Sequence, residues 1–219
     1  MTKKINDYGA VIFDFDGTLY DNKKMPLRLI LSLPFSIFKM KADRKVRKML
    51  KGVDFSNGEN FFSQYCKLLA AECKTSEKKI AFWYKNVYIP KMIFLLKKKY
   101  VARKNVNELF LKLKSYGIKI AVYSDYTNTE ERMHSLSIDT SNVDIITSSV
   151  KEGALKPSPR PFIELANRLN VSVKKCLVVG DRDDTDGEGA LKSSMDFIQI
   201  NNHNQKGILW EEFLAFVNL

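Results

Sequence analysis

Cysteine and histidine are both scarce in this chain. Its 219 residues include three cysteines, Cys66, Cys73 and Cys176, and two histidines, His134 and His203. A small, odd number of cysteines argues against a disulfide framework, and the apolar run around Cys176 predicts a buried thiol. The histidines are not suitably spaced with cysteines for a zinc site, so none is expected. We therefore expect a reducing, cytoplasmic location.

Long apolar runs are also missing. No stretch reaches the roughly 18–20 apolar residues that span a bilayer. The apolar segment at 10–13 is short and runs directly into Asp14 and Asp16, so residues 1–20 are not expected to act as a signal peptide. Nevertheless, 45% of the residues are hydrophobic, with 14 Phe and 9 Tyr. That content can form a core, which argues against wholesale disorder.

Acidic residues are scarce in one part of the chain only. Residues 22–104 contain 21 Lys or Arg and 5 Asp or Glu, whereas the rest holds 15 basic and 20 acidic residues. These balances of +16 and −5 give the formal net charge of +11. A basic segment attracts anions such as phosphorylated metabolites, nucleic acid or anionic lipid. The alternative is that these lysines are only the solvated faces of helices.

Strand and helix patterns alternate along most of the chain. Apolar runs typical of buried strands lie at 9–14, 118–124, 143–147, 176–180 and 196–200. Helix patterns lie at 105–116, 128–136, 159–169 and 185–194, and the first of them ends at Gly117, a residue favoured after a helix C-terminus. This alternation predicts an α/β fold with a parallel sheet flanked by helices.

The stretch at 21–103 departs from this alternation. Residues 61–73 and 76–89 have amphipathic helical spacing, Pro90 interrupts the pattern, and 92–100 resumes it. The apolar run at 27–38, divided by Pro34, predicts a core helix, with contact to an anionic membrane as the alternative. Seven aromatic residues between 61 and 88 predict further core. The predicted organisation is a body of 1–20 and 104–219 with a helical insert at 21–103.

Four polar motifs follow predicted strands, at the edge where open α/β sheets bind ligands. The first is Asp14-Phe-Asp16-Gly17-Thr18-Leu. Its two carboxylates can divide the work of nucleophile and proton carrier. Gly17 permits a sharp turn, whose N–H groups can hold phosphate oxygens. Taken alone, the motif also fits a turn or a structural cation site.

Two further motifs supply a hydroxyl and an ammonium group. Ser124-Asp125 ends the second predicted strand, where the hydroxyl can donate to a phosphoryl oxygen; a turn or a helix N-cap is the alternative. Lys156 precedes Pro157, which favours an extended conformation. Its charge can offset the repulsion between Asp14 and a phosphate, although a surface lysine before a loop is the alternative.

The fourth motif is an acidic cluster at 180–186, Gly-Asp-Arg-Asp-Asp-Thr-Asp. Four carboxylates within six residues repel one another unless a cation offsets their charge. Oxygen ligands at this density suit a hard divalent ion, above all Mg²⁺. An acidic, solvated loop that caps the next helix is the alternative.

Together, the four motifs resemble those of the haloacid dehalogenase superfamily of phosphohydrolases, from Asp14 to about residue 200. The resemblance implies a Rossmann-like core, with the insert as an α-helical cap, and a Mg²⁺-dependent phosphatase. It implies that Asp14 is the nucleophile and forms an aspartyl-phosphate. Asp16 would protonate the leaving alcohol and then deprotonate the attacking water. The presence of Asp16 favours phosphate chemistry over dehalogenation, which needs no acid for its leaving group.

The same resemblance implies how substrate and metal are held. Ser124, together with Gly17, Thr18 and Asp125, would bind the phosphoryl group, and Lys156 would brace it against Asp14. The implied Mg²⁺ ligands are Asp14, the backbone carbonyl of Asp16, Asp181 and Asp186, with Asp184 as a supporting alternative. One departure concerns the exit from the cap, where the family often has Pro-Gly. This chain has Lys104-Asn105 there, which puts the behaviour of the hinge in doubt.

Hydrolysis of a small phosphorylated substrate is therefore the leading functional hypothesis. A phosphotransferase or mutase with the same residues is one alternative. Another is a binder of nucleic acid or anionic membrane that uses the basic cap. The sequence indicates no protein partner, and it identifies neither the natural substrate nor the oligomeric state.

Overall fold

The structure is a computed structural model that describes residues 3–202 and 206–219, so His203 lies outside the described residues. Its described strands form one parallel sheet with the order β3-β2-β1-β4-β5. The strands are β1 (Ala10–Phe13), β2 (Lys119–Ser124), β3 (Ile145–Ser148), β4 (Cys176–Gly180) and β5 (Asp196–Gln199). All five predicted strands are confirmed. Because β1 is central and the chain order reverses beside it, a crevice for ligands is expected at its carboxyl end.

The register of the sheet brings the ends of the central strands together. Phe13 of β1 pairs with Val122 of β2 and with Val179 of β4. The N–H of Asp14 donates to the carbonyl of Val179 at 2.8 Å. All residues of β1 and β4 are buried, which explains their continuous apolar runs. The polar residues that follow these strands therefore share one edge of the sheet.

The chain between β1 and β2 is mostly helical. The helices are α1 (Met25–Ser32), α2 (Ile37–Met49), α3 (Gly58–Glu72), α4 (Glu77–Trp83) and α5 (Ile89–Lys99). The expected interruption at Pro90 is wrong, because α4 continues through a π-helical turn, Tyr84–Tyr88, into α5. Pro90 lies at the second position of α5, directly after this π-helical turn. The division into a core and a cap at residues 21 and 104 stays a prediction.

Further helices cover the sheet. They are α6 (Val106–Ser115), α7 (Thr129–His134), α8 (Ser149–Glu152), α9 (Pro159–Arg168), α10 (Glu188–Lys192) and α11 (Trp210–Phe216). Alternate residues of β1 contribute to two hydrophobic cores. Val11 and Phe13 join the larger core, which includes residues of α1–α6 and α11, whereas Ile12 joins the core beneath α9 and α10. The predicted α/β class is therefore confirmed.

The prediction that the apolar run at 27–38 forms a core helix is largely wrong. Met25 and Leu29 are buried, but Leu27, Leu31 and other large side chains of the run are exposed. The turn Pro34–Ser36 ends α1 after eight residues and begins α2, so one face of this short helix packs inward and the other faces solvent.

Two smaller core predictions have different outcomes. The aromatic residues between 61 and 88 are mostly buried, as predicted, although Phe82 is exposed. Cys176 is buried, also as predicted, and all three cysteines are free thiols. Over residues 3–202 and 206–219, no helix has both the length and the apolarity needed to cross a bilayer.

Two neighbouring chain segments connect the sheet to the helices α1–α5. Tyr20 pairs with Ala102 in an antiparallel bridge, and the N–H of Arg103 donates to the carbonyl of Leu19 at 2.8 Å. Asn105, at the expected Pro-Gly position, has the left-handed conformation with φ +60°. Asparagine tolerates this conformation better than most non-glycine residues, so Asn105 supplies the backbone shape that glycine would provide.

Candidate active site

Three buried carboxylates meet at the carboxyl end of the central strands. Asp14 follows β1, Asp181 follows β4, and Asp186 lies in the π-helical turn Asp183–Gly187. One oxygen from each lies within 4.8 Å of the others. Oxygen donors at this spacing suit a hard divalent cation. The acidic motif therefore does more than form a solvated loop before a helix.

Lys156 is the buried cation at this cluster. Its Nζ lies 2.7 Å from Asp14 Oδ1 and 2.7 Å from Asp186 Oδ1. It also lies 4.8 Å from the centre of the Tyr123 ring. The alternative of an exposed surface lysine is therefore wrong.

The acidic cluster carries more negative charge than Lys156 can offset. Burial, with the nearby charges of Asp186 and Asp16, raises the pKa of Asp14 to about 7 despite Lys156. Burial and the charge of Asp14 raise the pKa of Asp181 to about 7. Burial also raises the pKa of Asp186, although Lys156 opposes this effect. Each carboxylate is thus easier to ionise if a further cation is present.

The loop after Asp14 is shaped by Gly17. Its φ of +101° favours glycine, and a Cβ there would clash with the Asp181 carboxylate. The Thr18 hydroxyl donates to Asp14 Oδ2 at 2.9 Å. Arg103 donates to the carbonyls of Thr18 and Gly17 at 2.9 and 3.1 Å. The chain returning from the insert therefore braces the loop that follows Asp14.

Asp16 lies outside the three-carboxylate cluster and is bound by other side chains. The Arg132 guanidinium pairs with Asp16 Oδ1, to which the Tyr20 hydroxyl also donates at 2.6 Å. Ser124 donates to Asp16 Oδ2 at 2.9 Å. Burial raises the pKa of Asp16, but Arg132 and the hydrogen bonds outweigh this effect and hold the pKa below its usual value.

Sequence reasoning missed Arg132. It is fully buried at the end of α7 and also donates to Ser124 Oγ at 3.0 Å. Its Nε is buried without a hydrogen-bond partner. Arg132 is 116 residues away from Asp16, and no local motif marks it. A signal could have come only from noticing an arginine on the helix that directly follows the Ser124 strand.

Asp125 and Asp184 are the remaining predicted site residues, and their surroundings differ. Asp125 accepts a hydrogen bond from Ser149 Oγ at 2.6 Å. Asp184, the alternative to Asp186, has a side chain 55% exposed and pairs with Lys51 and Arg182. The structure therefore brings Asp186 into the carboxylate cluster and leaves Asp184 outside it.

Asn202 is a second residue that sequence reasoning missed. Its Nδ2 donates to Asp181 Oδ2 at 3.1 Å, and this contact opposes the rise in the pKa of Asp181. It follows β5 by a few residues, with no motif around it.

A cavity of about 820 Å³ extends from Asp16 and Lys156 towards α1 and α2. One part of its wall is apolar and includes Met25, Leu29, Ile30, Ile37, Met40 and Met92. Cationic side chains line another part, namely Lys23, Lys41, Arg44, Arg47, Lys48, Lys51 and Arg182. The cavity can therefore hold a molecule considerably larger than phosphate and favours negative charge.

Comparison with known proteins identifies the family. The model of haloacid dehalogenase-like hydrolases matches residues 8–193, and the chain belongs to this family. The sequence-based identification of the superfamily, and of a hydrolase, is therefore confirmed.

Individual relatives are more distant. The chain is 27% identical to a glyceraldehyde 3-phosphate phosphatase of Methanopyrus kandleri, over 87% of this chain and 83% of the relative. It is 24% identical to the protein of that name from Methanothermobacter thermautotrophicus, over 88% and 85% of the two chains. The phosphatase names agree with the predicted class of phosphoric monoester hydrolase.

The fold is similar to a Bacillus subtilis structure described as a HAD-hydrolase bound to magnesium. The TM-score is 0.65 at 15% identity, and the match covers 97% of this chain and 99% of that one. At this identity, the likeness concerns the fold.

Proposed function

We propose that this protein is a phosphatase that hydrolyses a phosphomonoester through an aspartyl-phosphate on Asp14. The observation that carries the proposal is the buried group of Asp14, Asp181, Asp186 and Lys156. In the proposed first step, an oxygen of Asp14 bonds to phosphorus, and the bond from phosphorus to the leaving oxygen breaks. Water then attacks the phosphorus of the aspartyl-phosphate, which releases inorganic phosphate and restores Asp14.

Lys156 is proposed to offset the repulsion between Asp14 and the phosphoryl group. Its contacts with both Asp14 and Asp186 place one positive charge among these carboxylates. Phosphoryl transfer depends mainly on alignment and on charge stabilisation. Ser124, Gly17, Thr18 and Asp125 are proposed to bind the phosphoryl group. In support, Thr18 donates to Asp14, Ser124 donates to Asp16, and Asp125 lines the cavity.

Mg²⁺ fits the chemistry of the donor set. The side chains of Asp14, Asp181 and Asp186 would hold it, with the backbone carbonyl of Asp16 as a further proposed ligand. A divalent cation at these oxygens supplies positive charge that stabilises the anionic transition state. The raised pKa values of Asp14 and Asp181 are consistent with a site that requires such charge.

Asp16 is proposed to exchange protons with the leaving alcohol and with the attacking water. Its pairing with Arg132 favours the ionised form, which is the form that accepts a proton from water. The same pairing makes donation to the leaving oxygen harder. Esters with poor leaving groups should therefore be hydrolysed more slowly than activated esters.

The cavity suggests the class of substrate. Its many cations favour a phosphomonoester that carries a second anionic group, and its apolar wall can accept a hydrocarbon portion. Glyceraldehyde 3-phosphate belongs in a substrate screen because of the names of the relatives. Transfer of phosphate to a second sugar, the alternative activity, would yield a phosphorylated acceptor instead of inorganic phosphate.

The test is release of inorganic phosphate from a panel of phosphomonoesters with Mg²⁺ present. Asp14→Asn should abolish release, whereas Asp139→Asn, at an exposed aspartate, should retain wild-type turnover. Excess EDTA should stop the reaction and added Mg²⁺ should restore it. Substantial turnover by pure Asp14→Asn protein would overturn the assignment of the nucleophile, and full activity in chelator would overturn the metal requirement.

A further inference from the structure

The junction between α1 and α2 presents large apolar side chains to solvent. Leu27 and Leu31 lie one turn apart on α1, and Phe35 and Phe38 lie in and just after the turn Pro34–Ser36. Their exposed fractions are 57%, 71%, 100% and 64%, respectively. Exposed apolar side chains grouped this closely along the chain are typical of an interaction site. These four residues are called the α1–α2 corner below.

The corner stands on a fixed backbone. Met25 and Leu29, on the opposite side of α1, are buried, and α1 packs against α5. Ser36, next to Phe35, is also buried, and its Oγ accepts a hydrogen bond from Trp83 Nε1 at 3.0 Å. Because this backbone is already ordered, binding through the corner loses little conformational freedom.

Positive charge accompanies the corner. Residues 22–51 contain ten Lys or Arg and one acidic residue, Asp43. Asp43 is buried and accepts hydrogen bonds from Arg47 and Tyr65, so its charge is offset inside the protein. The exposed cations on α2 and before α1 are Lys23, Lys24, Lys41, Arg44, Lys45 and Lys48. Lys45 pairs with Glu72 at 2.7 Å, and Lys23, Lys41, Arg44 and Lys48 also line the cavity.

We propose that the α1–α2 corner docks on the surface of an anionic lipid bilayer. Leucine and phenylalanine side chains can enter the interfacial region, while the neighbouring cations interact with anionic headgroups. A second copy of the chain would instead bring a second set of the same cations against the first. Nucleic acid would engage the cations but leave Leu27 and Leu31 in water. Of these three occupants, only the bilayer surface matches both the apolar and the cationic side chains.

Docking would also place the cavity at the lipid surface. Ile30 and Ile37, which directly precede Leu31 and Phe38 of the corner in sequence, line the cavity. Docking itself requires no catalysis. A failure of docking would therefore leave the proposed phosphatase untouched, and a failure of the phosphatase would leave docking untouched.

The test is co-sedimentation of the full chain with phosphatidylcholine vesicles, with and without phosphatidylserine. The wild-type chain should sediment with the mixed vesicles, and the bound fraction should fall as salt is added. Leu31→Ser/Phe35→Ser should lose most of this binding. Lys24→Glu should weaken it by about fivefold or more, the effect expected for one cation near the surface.

Matched controls separate the corner from general effects. Phe82→Ser/Leu191→Ser changes side chains that are 64% and 78% exposed elsewhere, and Lys78→Glu changes an exposed cation on α4. Both should bind vesicles like wild type, and all variants should keep the wild-type melting temperature. Equal losses in corner and control variants would overturn the proposal. So would a corner variant that loses RNA binding or self-association while its vesicle binding is unchanged.

Discussion

At the scale of single residues, the chemistry depends on side chains that lie far apart in sequence. Asp14, Asp16 and Asp181 could be selected from local motifs, because Asp14 and Asp181 directly follow buried strands and Asp16 lies two residues after Asp14. Arg132 and Asn202 could not, since their contacts with Asp16 and Asp181 depend on how α7 and the segment after β5 return to the sheet edge. A sequence motif identifies side chains that are close together in the chain. It does not identify contacts between residues that only the tertiary fold brings together.

Asp16→Asn should slow turnover most for substrates with poor leaving groups. A positioned general acid typically contributes about 10²–10⁴-fold, and a phenolate leaves without a proton far more readily than an alkoxide. Steady-state rates with an aryl phosphate and a sugar phosphate measure the difference. Equal losses for both substrates would contradict the role of Asp16 as the acid.

Arg132→Met should raise the pKa of Asp16, because it removes the positive charge that now lowers it. The limb of the pH–rate profile that reports Asp16 should therefore move to higher pH. The free energy of unfolding should fall by up to about 3–5 kcal/mol, since the Asp16 carboxylate, which is 18% exposed, loses its charged partner.

Arg132→Met/Asp16→Asn supplies the control for that substitution. The double variant removes both charges, so no unpaired charge remains. It should therefore be more stable than Arg132→Met alone in urea unfolding. An unchanged pH profile for Arg132→Met, or equal stability of the two variants, would show that Arg132 does not control the ionisation of Asp16.

At the scale of elements, apolar periodicity predicted the sheet well and the helical insert less well. A strand with both faces buried gives a continuous apolar run, and β1 and β4 show it clearly. The run at 27–38 has the same apolar content, but a short helix with one packed face leaves alternate side chains in solvent. Its apolar composition alone therefore could not distinguish a buried helix from a helix with one exposed apolar face.

Asn105 allows a test of the segment that returns from the insert. Asn105→Gly should keep the stability of the wild type to within a few tenths of a kcal/mol, because glycine adopts positive φ freely. Asn105→Ala should lower the free energy of unfolding by up to about 1 kcal/mol, because alanine lacks the polar side chain with which asparagine offsets part of the cost of the left-handed conformation. Urea unfolding of the three proteins measures both changes. A fully stable Asn105→Ala would contradict the left-handed conformation.

At the scale of the whole molecule, the acidic cluster links stability to pH and to metal. In the absence of metal, burial raises the pKa of both Asp14 and Asp181 to about 7, against roughly 4 in an unfolded chain. The folded state therefore binds these protons more tightly than the unfolded state does. Carboxyls whose pKa is lowered, such as Asp144 and Asp196, instead stabilise the folded state at neutral pH and lose this contribution at low pH.

The metal-free protein should accordingly become less stable as pH rises from about 5 to 8. The expected loss in the free energy of unfolding is ~1 kcal/mol or more. Mg²⁺ should raise the melting temperature more at pH 8 than at pH 5, because it binds the ionised carboxylates. Thermal melts across this range, with EDTA or Mg²⁺, measure both effects.

Asp181→Asn is the control for this linkage, because it removes one of the two titrating groups. Its stability should depend less on pH than that of the wild type. If metal-free wild-type protein instead gains stability over this range, burial and mutual repulsion do not raise the pKa values of these carboxylates.

The bridge between Tyr20 and Ala102 has a consequence for how the segment between these two residues can evolve. The chain leaves the sheet and returns to it at neighbouring points, so the residues between have adjacent covalent ends, although α3 also packs against α8. Segments with adjacent ends can be exchanged, enlarged or deleted with little disturbance of the parent structure. The residues between these two ends can therefore vary in length and sequence, while the aspartates that follow the strands keep their positions.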